Sequence, residues 1–212
     1  DNLMKRTDWV HTRALGIAII LLGTLMMSSC LDLQTNIRLT GDGEVSAKIT
    51  YIFNEDSAGF GRGFGSDEPW PLPLTEKDFR QRQLRYPGVD LKTYRAKTRR
   101  DGGEEIEVRL KSESLEALAA YLDMDFHLEG SVKDGSFVLK IPDITSYTET
   151  TDVTREVFEK LTRGMVFRFR FRPPGRPTES QNGSIEGRYA SFDITMAEIL
   201  SGETPSQWLV SW

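Results

Sequence analysis

Apolar and polar residues alternate along much of the chain. Leu31, Leu33, Ile37 and Leu39 share one parity, Gly41-Asp42-Gly43 interrupts it, and Val45, Ala47, Ile49, Tyr51 and Phe53 resume it. A period of two belongs to a half-buried strand, so the spacing predicts a hairpin with glycines available for positive φ in its turn. The pattern recurs twice. Val89 and Leu91 lead through Asp101-Gly102-Gly103 to Ile106, Val108 and Leu110; Phe126, Leu128 and Val132 lead through Asp134-Gly135 to Phe137, Leu139 and Ile141. Met165, Phe167, Phe169 and Phe171 predict a further strand, followed by a pair around 185–189 and 191–194 and a last strand over 208–212.

Helical spacing fills the gaps between hairpins. Thr75 with Asp78 three residues on has the form of an N-cap, with Phe79 and Leu84 on the apolar side and Pro87-Gly88 as the stop. Ser114 caps a second helix in which Leu115, Leu118, Ala119 and Leu122 follow the i, i+3, i+4, i+7 rule. Thr151 or Asp152 opens a third, with Val153, Val157 and Leu161 on one face and Gly164 as its close, and a short helical turn is expected at 197–200. Hairpins pair antiparallel, and helices between them must cover a sheet face. The predicted class is α+β: an antiparallel sheet built from successive hairpins with three short helices packed on it.

Ahead of this pattern lies a different one. Lys5, Arg6 and Arg13 precede an apolar run from Ala14 to Met27, then Ser28-Ser29-Cys30. As a helix the run is about 21 Å long, short of a hydrocarbon core of about 30 Å. A basic start, a short apolar run and small residues make a signal peptide over 1–29. Met27-Ser28-Ser29-Cys30 resembles the lipobox of bacterial lipoproteins, in which the cysteine is acylated and the chain is cut before it. Two or three acyl chains hold a protein on a membrane where one holds only marginally. The alternative is a structural cysteine behind an uncleaved leader. Residues 30–212 then form one domain, with a weaker boundary reading near 142–151, where the sequence is polar and loosely patterned.

Composition narrows the chemistry. A net charge of −5 leaves no overall basic surface, which argues against a general nucleic-acid binder. One cysteine excludes an intrachain disulfide framework and a multi-cysteine zinc site. His127 is the single histidine after the leader and falls at polar parity, so no Ser-His-Asp triad or ordinary zinc site presents itself. Asp123, Asp125 and Glu129 lack the spacing of a calcium loop. The sequence calls for no cofactor, and paired carboxylates of a hydrolase are the remaining enzymatic reading.

Two features are candidate ligand-binding surfaces. The segment from Gly59 to Gly65 and on to Pro73 carries Phe60, Phe64 and Trp70 among glycines and prolines. It lacks the helix start and Gly-Lys-Ser/Thr of a phosphate loop. Its aromatics either grip a lipid interface or partner or fold back over the sheet. In the Phe-rich strand, Arg168, Arg170 and Arg172 alternate with Phe167, Phe169 and Phe171, so the three guanidinium groups point to one face. Such a row suits phosphate, carboxylate or anionic head groups. Its plainer reading is a solvated face neutralised by carboxylates of neighbouring strands, Glu105 and Glu107 among them.

Cys30 followed at once by a strand, the Gly41-Asp42-Gly43-Glu44 turn, the Phe-rich strand over 165–171 and the terminal strand over 208–212 together resemble the LppM-type domain of bacterial envelope lipoproteins. The resemblance extends over most of residues 30–212. It implies a β-rich α/β module attached to the outer side of the cytoplasmic membrane or to the outer membrane. No catalytic residues come with it. Some members continue into a C-terminal membrane helix; here the chain stops at Trp212, so the lipid on Cys30 is expected to be the only anchor. The expected function is a lipid-anchored, non-enzymatic binding module for an envelope lipid, glycolipid or protein, held to the membrane by its acyl chains; a structural or assembly lipoprotein with a protein partner is the alternative.

Overall fold

A computed structural model describes residues 31–55, 73–141 and 164–212. Cys30, the aromatics Phe60, Phe64 and Trp70, the boundary region near 142–151 and the helix expected from Thr151 or Asp152 lie outside the described residues.

Strands β1 (Leu31–Leu39) and β2 (Val45–Phe53) form the first hairpin in unbroken register, from Leu39 opposite Val45 to Leu31 opposite Phe53. Gly43 takes φ 90° in the turn, and the Thr40 hydroxyl bonds Asp42 and the Glu44 carbonyl. Helix α1 (Glu76–Arg85) starts at a reciprocal cap: the Thr75 hydroxyl accepts from the Asp78 amide at 3.2 Å, and the Asp78 carboxylate accepts from the Thr75 amide at 2.9 Å. The second hairpin is β3 (Val89–Thr98) with β4 (Glu104–Ser112), with a bulge between Leu91 and Thr93. Ser114 caps α2 (Leu115–Leu122), and the third hairpin is β5 (Phe126–Gly130) with β6 (Gly135–Lys140).

Then come β7 (Val166–Arg172), β8 (Glu179–Gln181), β9 (Ser184–Glu186), β10 (Tyr189–Thr195), α3 (Met196–Ser201) and β11 (Gln207–Ser211). Tyr189 starts β10 rather than ending the strand before it. Gly187, at φ 62°, closes a two-residue turn between Glu186 and Tyr189.

The class is α+β, as the pattern predicts, but the strands divide between two sheets. One has the order β3-β4-β2-β1-β7-β10-β9 and the other β5-β6-β11-β8. Within the larger sheet β1 and β7 are parallel, the one departure from hairpin-like pairing. Their register explains the match. Leu33, Thr35 and Ile37 lie opposite Phe167, Phe169 and Phe171, so both strands turn one apolar face inward.

That face meets the second sheet and the helices in a shared core. Phe137 on β6 stacks on Phe171 at 4.2 Å, and Phe192 stacks on Trp208 at 5.7 Å. Under the other half, α1 and α2 pack on β3 and α2 also on β4 and β5, enclosing Phe79, Tyr51 and Tyr121. Among the described residues no helix is long and apolar enough to cross a membrane.

Candidate functional site

The inward face of the larger sheet fixes its outward face. With Leu33, Ile37 and Leu39 buried, Asp32, Gln34, Asn36 and Arg38 must lie on the other side of β1. Register carries this across the sheet. Arg38 lies opposite Arg172 on one side and Ser46 on the other, and Ser46 lies opposite Lys111. Two residues back along β1, Asn36 lies opposite Arg170 and Lys48, and Lys48 lies opposite Arg109. Another step back, Gln34 and Asp193 flank Arg168.

The three arginines of β7 therefore share a face, as alternation predicts, yet they do not share an environment. Arg168 donates to Asp32 Oδ2 at 2.6 Å and has Asp193 Oδ2 3.7 Å from its Nε. Arg170 lies 3.9 Å from Glu186 and sits over the Tyr189 ring at 5.0 Å, where Arg172 joins it at 5.7 Å. Among the described residues Arg172 and Arg38 have no carboxylate within 4.0 Å. Glu105 and Glu107, named above as counter-charges, serve other cations: Glu105 takes Lys97 at 3.0 Å, and Glu107 takes Lys48 at 2.7 Å and Arg109 at 3.0 Å.

The cations meet in an open basin of about 620 Å³ at the end of the sheet where β1 finishes. Arg38, Lys48, Lys92, Arg109, Lys111, Arg170 and Arg172 line it, with Glu44 the only lining carboxylate among the described residues. Lys92 reaches the basin from the β3 bulge and is held by Asp90 at 2.8 Å; Lys111 is held by Glu44 at 2.8 Å. Hydrogen bonding by Lys48, then charge from Lys48 and Arg109, keeps Glu107 below the usual carboxylate range. Lys92 does the same for Asp90, and Glu44 raises Lys111. Among the described residues four carboxylates (Glu44, Asp90, Glu107 and Glu186) thus pair with five of the seven cations, Asp42 adds its charge near Lys111, and Arg38 and Arg172 stay without a carboxylate within 4.0 Å, so positive charge is in excess. Guanidinium and ammonium groups converging on a concavity without equal counter-charge attract anions and bind their oxygens in pairs.

Next to the basin, across Asn36 and Arg170, a second groove of about 820 Å³ has a different lining. Gln34, Asn36, Asn182, Ser184 and Ser191 present amides and hydroxyls there, beside the paired Arg168 and Asp193. Its outer wall is the β8–β9 turn. Asn182 takes φ 66° and donates to the Gln207 carbonyl at 2.9 Å. A Cβ on Gly183 would come within 2.5 Å of both the Ser191 carbonyl and Trp208 Nε1, so only glycine lets this turn lie so close to the sheet.

The other acidic candidates have local roles. Asp123 is the left-handed C-cap of α2, Asp125 pairs with Lys140 at 3.3 Å, and Glu129 lies 3.5 Å from His127 Nε2. Of the sequence-derived candidates, Arg170 and Arg172 enter the basin and Arg168 lies in the neighbouring groove. Cys30, Phe60, Phe64 and Trp70 fall outside the described residues. Arg38, Lys48, Lys92, Arg109, Lys111 and Tyr189 are additions. The alternation of β1 and β2 gave a signal for Arg38 and Lys48, both at polar parity; nothing in the sequence tied them to β7.

No protein-family model matches the chain, and no curated protein matches it. Among solved structures it is similar to the NMR structure of the folded domain of Mycobacterium tuberculosis LppM. The two are 12% identical, with a TM-score of 0.46, over 86% of this chain and 89% of that one. This is the type of domain that the sequence layout resembles.

Proposed function

We propose that this chain is a lipid-anchored module of the bacterial cell envelope that binds an anionic envelope component on the outward face of its larger sheet. The observation that carries the binding half is the basin: among the described residues its cations outnumber the nearby carboxylates, and Arg38 and Arg172 are adjacent with no carboxylate partner. Surface charges that only solubilise a protein are normally interspersed with the opposite sign. The neighbouring groove supports a head group with hydroxyls, because its amides and serines offer both donors and acceptors. The anchoring half rests on the leader and on Met27-Ser28-Ser29-Cys30.

Among the described residues, the carboxylates whose pKa departs from the ordinary value are shifted away from what a general acid needs. Asp42, Asp90, Glu107 and Glu198 all have lowered pKa values, through hydrogen bonds from Thr40, Lys92, Lys48 and Thr195 respectively. A general acid working near neutrality needs a carboxyl pushed the other way.

Two measurements test the two halves separately. Mass spectrometry of the chain purified from bacterial membranes should give an acylated cysteine at the new N-terminus; a free thiol behind an intact leader removes the anchor. Inorganic phosphate should raise the melting temperature of the detergent-purified full chain, and less so after Arg172→Ser. Equal shifts in both proteins remove the basin as the binding site.

A further inference from the structure

The basin is organised in two levels. At the outer level Arg38 and Arg172 are direct partners across the parallel β1–β7 pair. At the inner level Asn36 is flanked by Arg170 on one side and Lys48 on the other. All five residues line the same concavity. Arg38 follows Asn36 by two residues on β1, and Arg172 follows Arg170 by two on β7. The levels are therefore displaced along both strands by the same step, about 6.6 Å. Residues two apart in a strand point the same way, so the displacement separates two anion seats on one face.

Each seat is suited to one phosphate-type group. The outer seat presents two guanidinium forks, each able to bind two oxygens. The inner seat combines a guanidinium, an ammonium and an amide. Glu107 already holds Lys48 at 2.7 Å, whereas Glu186 stands 3.9 Å from Arg170, so Arg170 is the freer inner cation. Tyr189 lies against Arg170 and Arg172 together and joins the levels on the β10 side.

We propose that the basin recognises a ligand with two phosphate-type groups about 6.6 Å apart, one held by Arg38 and Arg172 and the other by Arg170, Lys48 and Asn36. This rests on the anion-binding reading above and adds its selectivity. The second group binds intramolecularly once the first is seated, so its affinity rises through effective concentration when the spacing fits and gains nothing when it does not. Both a diphosphorylated lipid head group and a soluble bisphosphate have this chemistry.

The test is calorimetric titration of the full chain, reconstituted in zwitterionic vesicles, with inorganic phosphate, methylenebisphosphonate and butane-1,4-bisphosphonate. The four-carbon compound matches the seat separation when extended; the one-carbon compound cannot span it. Butane-1,4-bisphosphonate is expected to bind at least tenfold tighter than the other two. Arg38→Ser and Arg170→Ser, one from each seat, should each abolish that preference while leaving residual phosphate binding at the intact seat. Equal affinities for the two bisphosphonates, with phosphate still bound, overturn the two-seat proposal alone. No binding of phosphate itself overturns the anion-binding reading beneath it. Vesicles of diphosphatidylglycerol and of phosphatidylglycerol, matched in phosphate, then identify the source. Competition by the former only assigns the pair of phosphates to a lipid, and competition by neither assigns it to a soluble ligand; equal competition by both overturns the spacing rule.

Discussion

Arg38 and Arg172 stand directly opposite one another on parallel neighbouring strands, and among the described residues neither has a carboxylate within 4.0 Å. Like charges in register repel, at about 0.2–1 kcal/mol for a cross-strand pair. A ligand anion placed between them turns that repulsion into attraction. Arg38→Gln should therefore stabilise the unliganded protein by about 0.2–1 kcal/mol at low salt while weakening phosphate binding. The stability gain should shrink at high salt, because exposed charges are screened there. Urea midpoints at the two salt levels check this. A variant that is less stable at low salt would show that the guanidinium has a structural partner.

Glu107 restrains the same basin from the side. It binds Lys48 and Arg109, and these contacts lower its pKa from 4.5. A lowered folded-state pKa means that the carboxylate contributes stability above about pH 4.5. The contribution is lost as pH falls through the lower folded value. Glu107→Gln should flatten that part of the acid-unfolding curve and cost about 0.5–1 kcal/mol at neutral pH. It also releases one positive charge into the basin. At about 6 Å in a water-like dielectric this amounts to ~0.7 kcal/mol, or about threefold tighter phosphate binding. Calorimetry at neutral pH checks the affinity, and unchanged binding would place the anion away from Lys48 and Arg109.

Much of this architecture was legible in the sequence, because most of it is local. The Gly41–Gly43 turn, the Thr75–Asp78 cap and the Ser114 cap each depend on residues within a few positions, and all three form as the pattern predicts. Alternation alone placed Arg168, Arg170 and Arg172 on one face. What alternation does not contain is the identity of a strand's neighbour. Arg38 and Arg172 are 134 positions apart and meet only because β7 pairs in parallel with β1. The separation of β5, β6, β8 and β11 into a second sheet is likewise set by packing, as Phe137 finds Phe171 and Trp208 finds Phe192. For the same reason the β7 arginine row could not be resolved from one strand into a neutralised member, Arg168, and two basin members. Their differences come from Asp32, Asp193, Glu186 and Tyr189 on other strands.

Away from the basin, Tyr121 ties the two helices together. Its buried hydroxyl donates to the Phe79 carbonyl of α1 at 2.7 Å, and Arg82 of α1 donates back to the Tyr121 carbonyl at 2.8 Å. Burial pushes the phenol up to about 12, and the neighbouring Tyr51 moves in the same direction for the same reason. A raised pKa gives stability that is complete below the unfolded value of about 10. It is lost as pH rises through the folded value. Tyr121→Phe should cost about 1 kcal/mol at neutral pH and reduce the loss between about pH 10 and 12. Unfolding midpoints across that range check it; a slope identical to that of the parent would assign the alkaline transition to the other tyrosines that burial raises, Tyr51 and Tyr94.

Phe137 tests whether the two sheets are one cooperative unit. It is 1% exposed, lies nearly parallel to Phe171 at 4.2 Å, and meets Phe126 and the edge of Trp208 at 5.7 Å each. These rings come from β5, β6, β7 and β11, so removing Phe137 opens a void shared by both sheets. Truncating a buried phenylalanine costs about 3–5 kcal/mol, through lost burial and the cavity left behind. Phe137→Ala should move the whole thermal transition down, and Phe137→Leu should move it less because the smaller void is partly refilled. With a shared core the transition stays single and coincides by far-UV dichroism and tryptophan fluorescence, since Trp208 and Trp212 report from within it. Because β7 carries Phe171 between Arg170 and Arg172, loosening this stack should also blunt the preference for butane-1,4-bisphosphonate in the alanine variant. A separate early transition in tryptophan fluorescence, with the preference intact, would mean that the smaller sheet folds apart from the one that carries the basin.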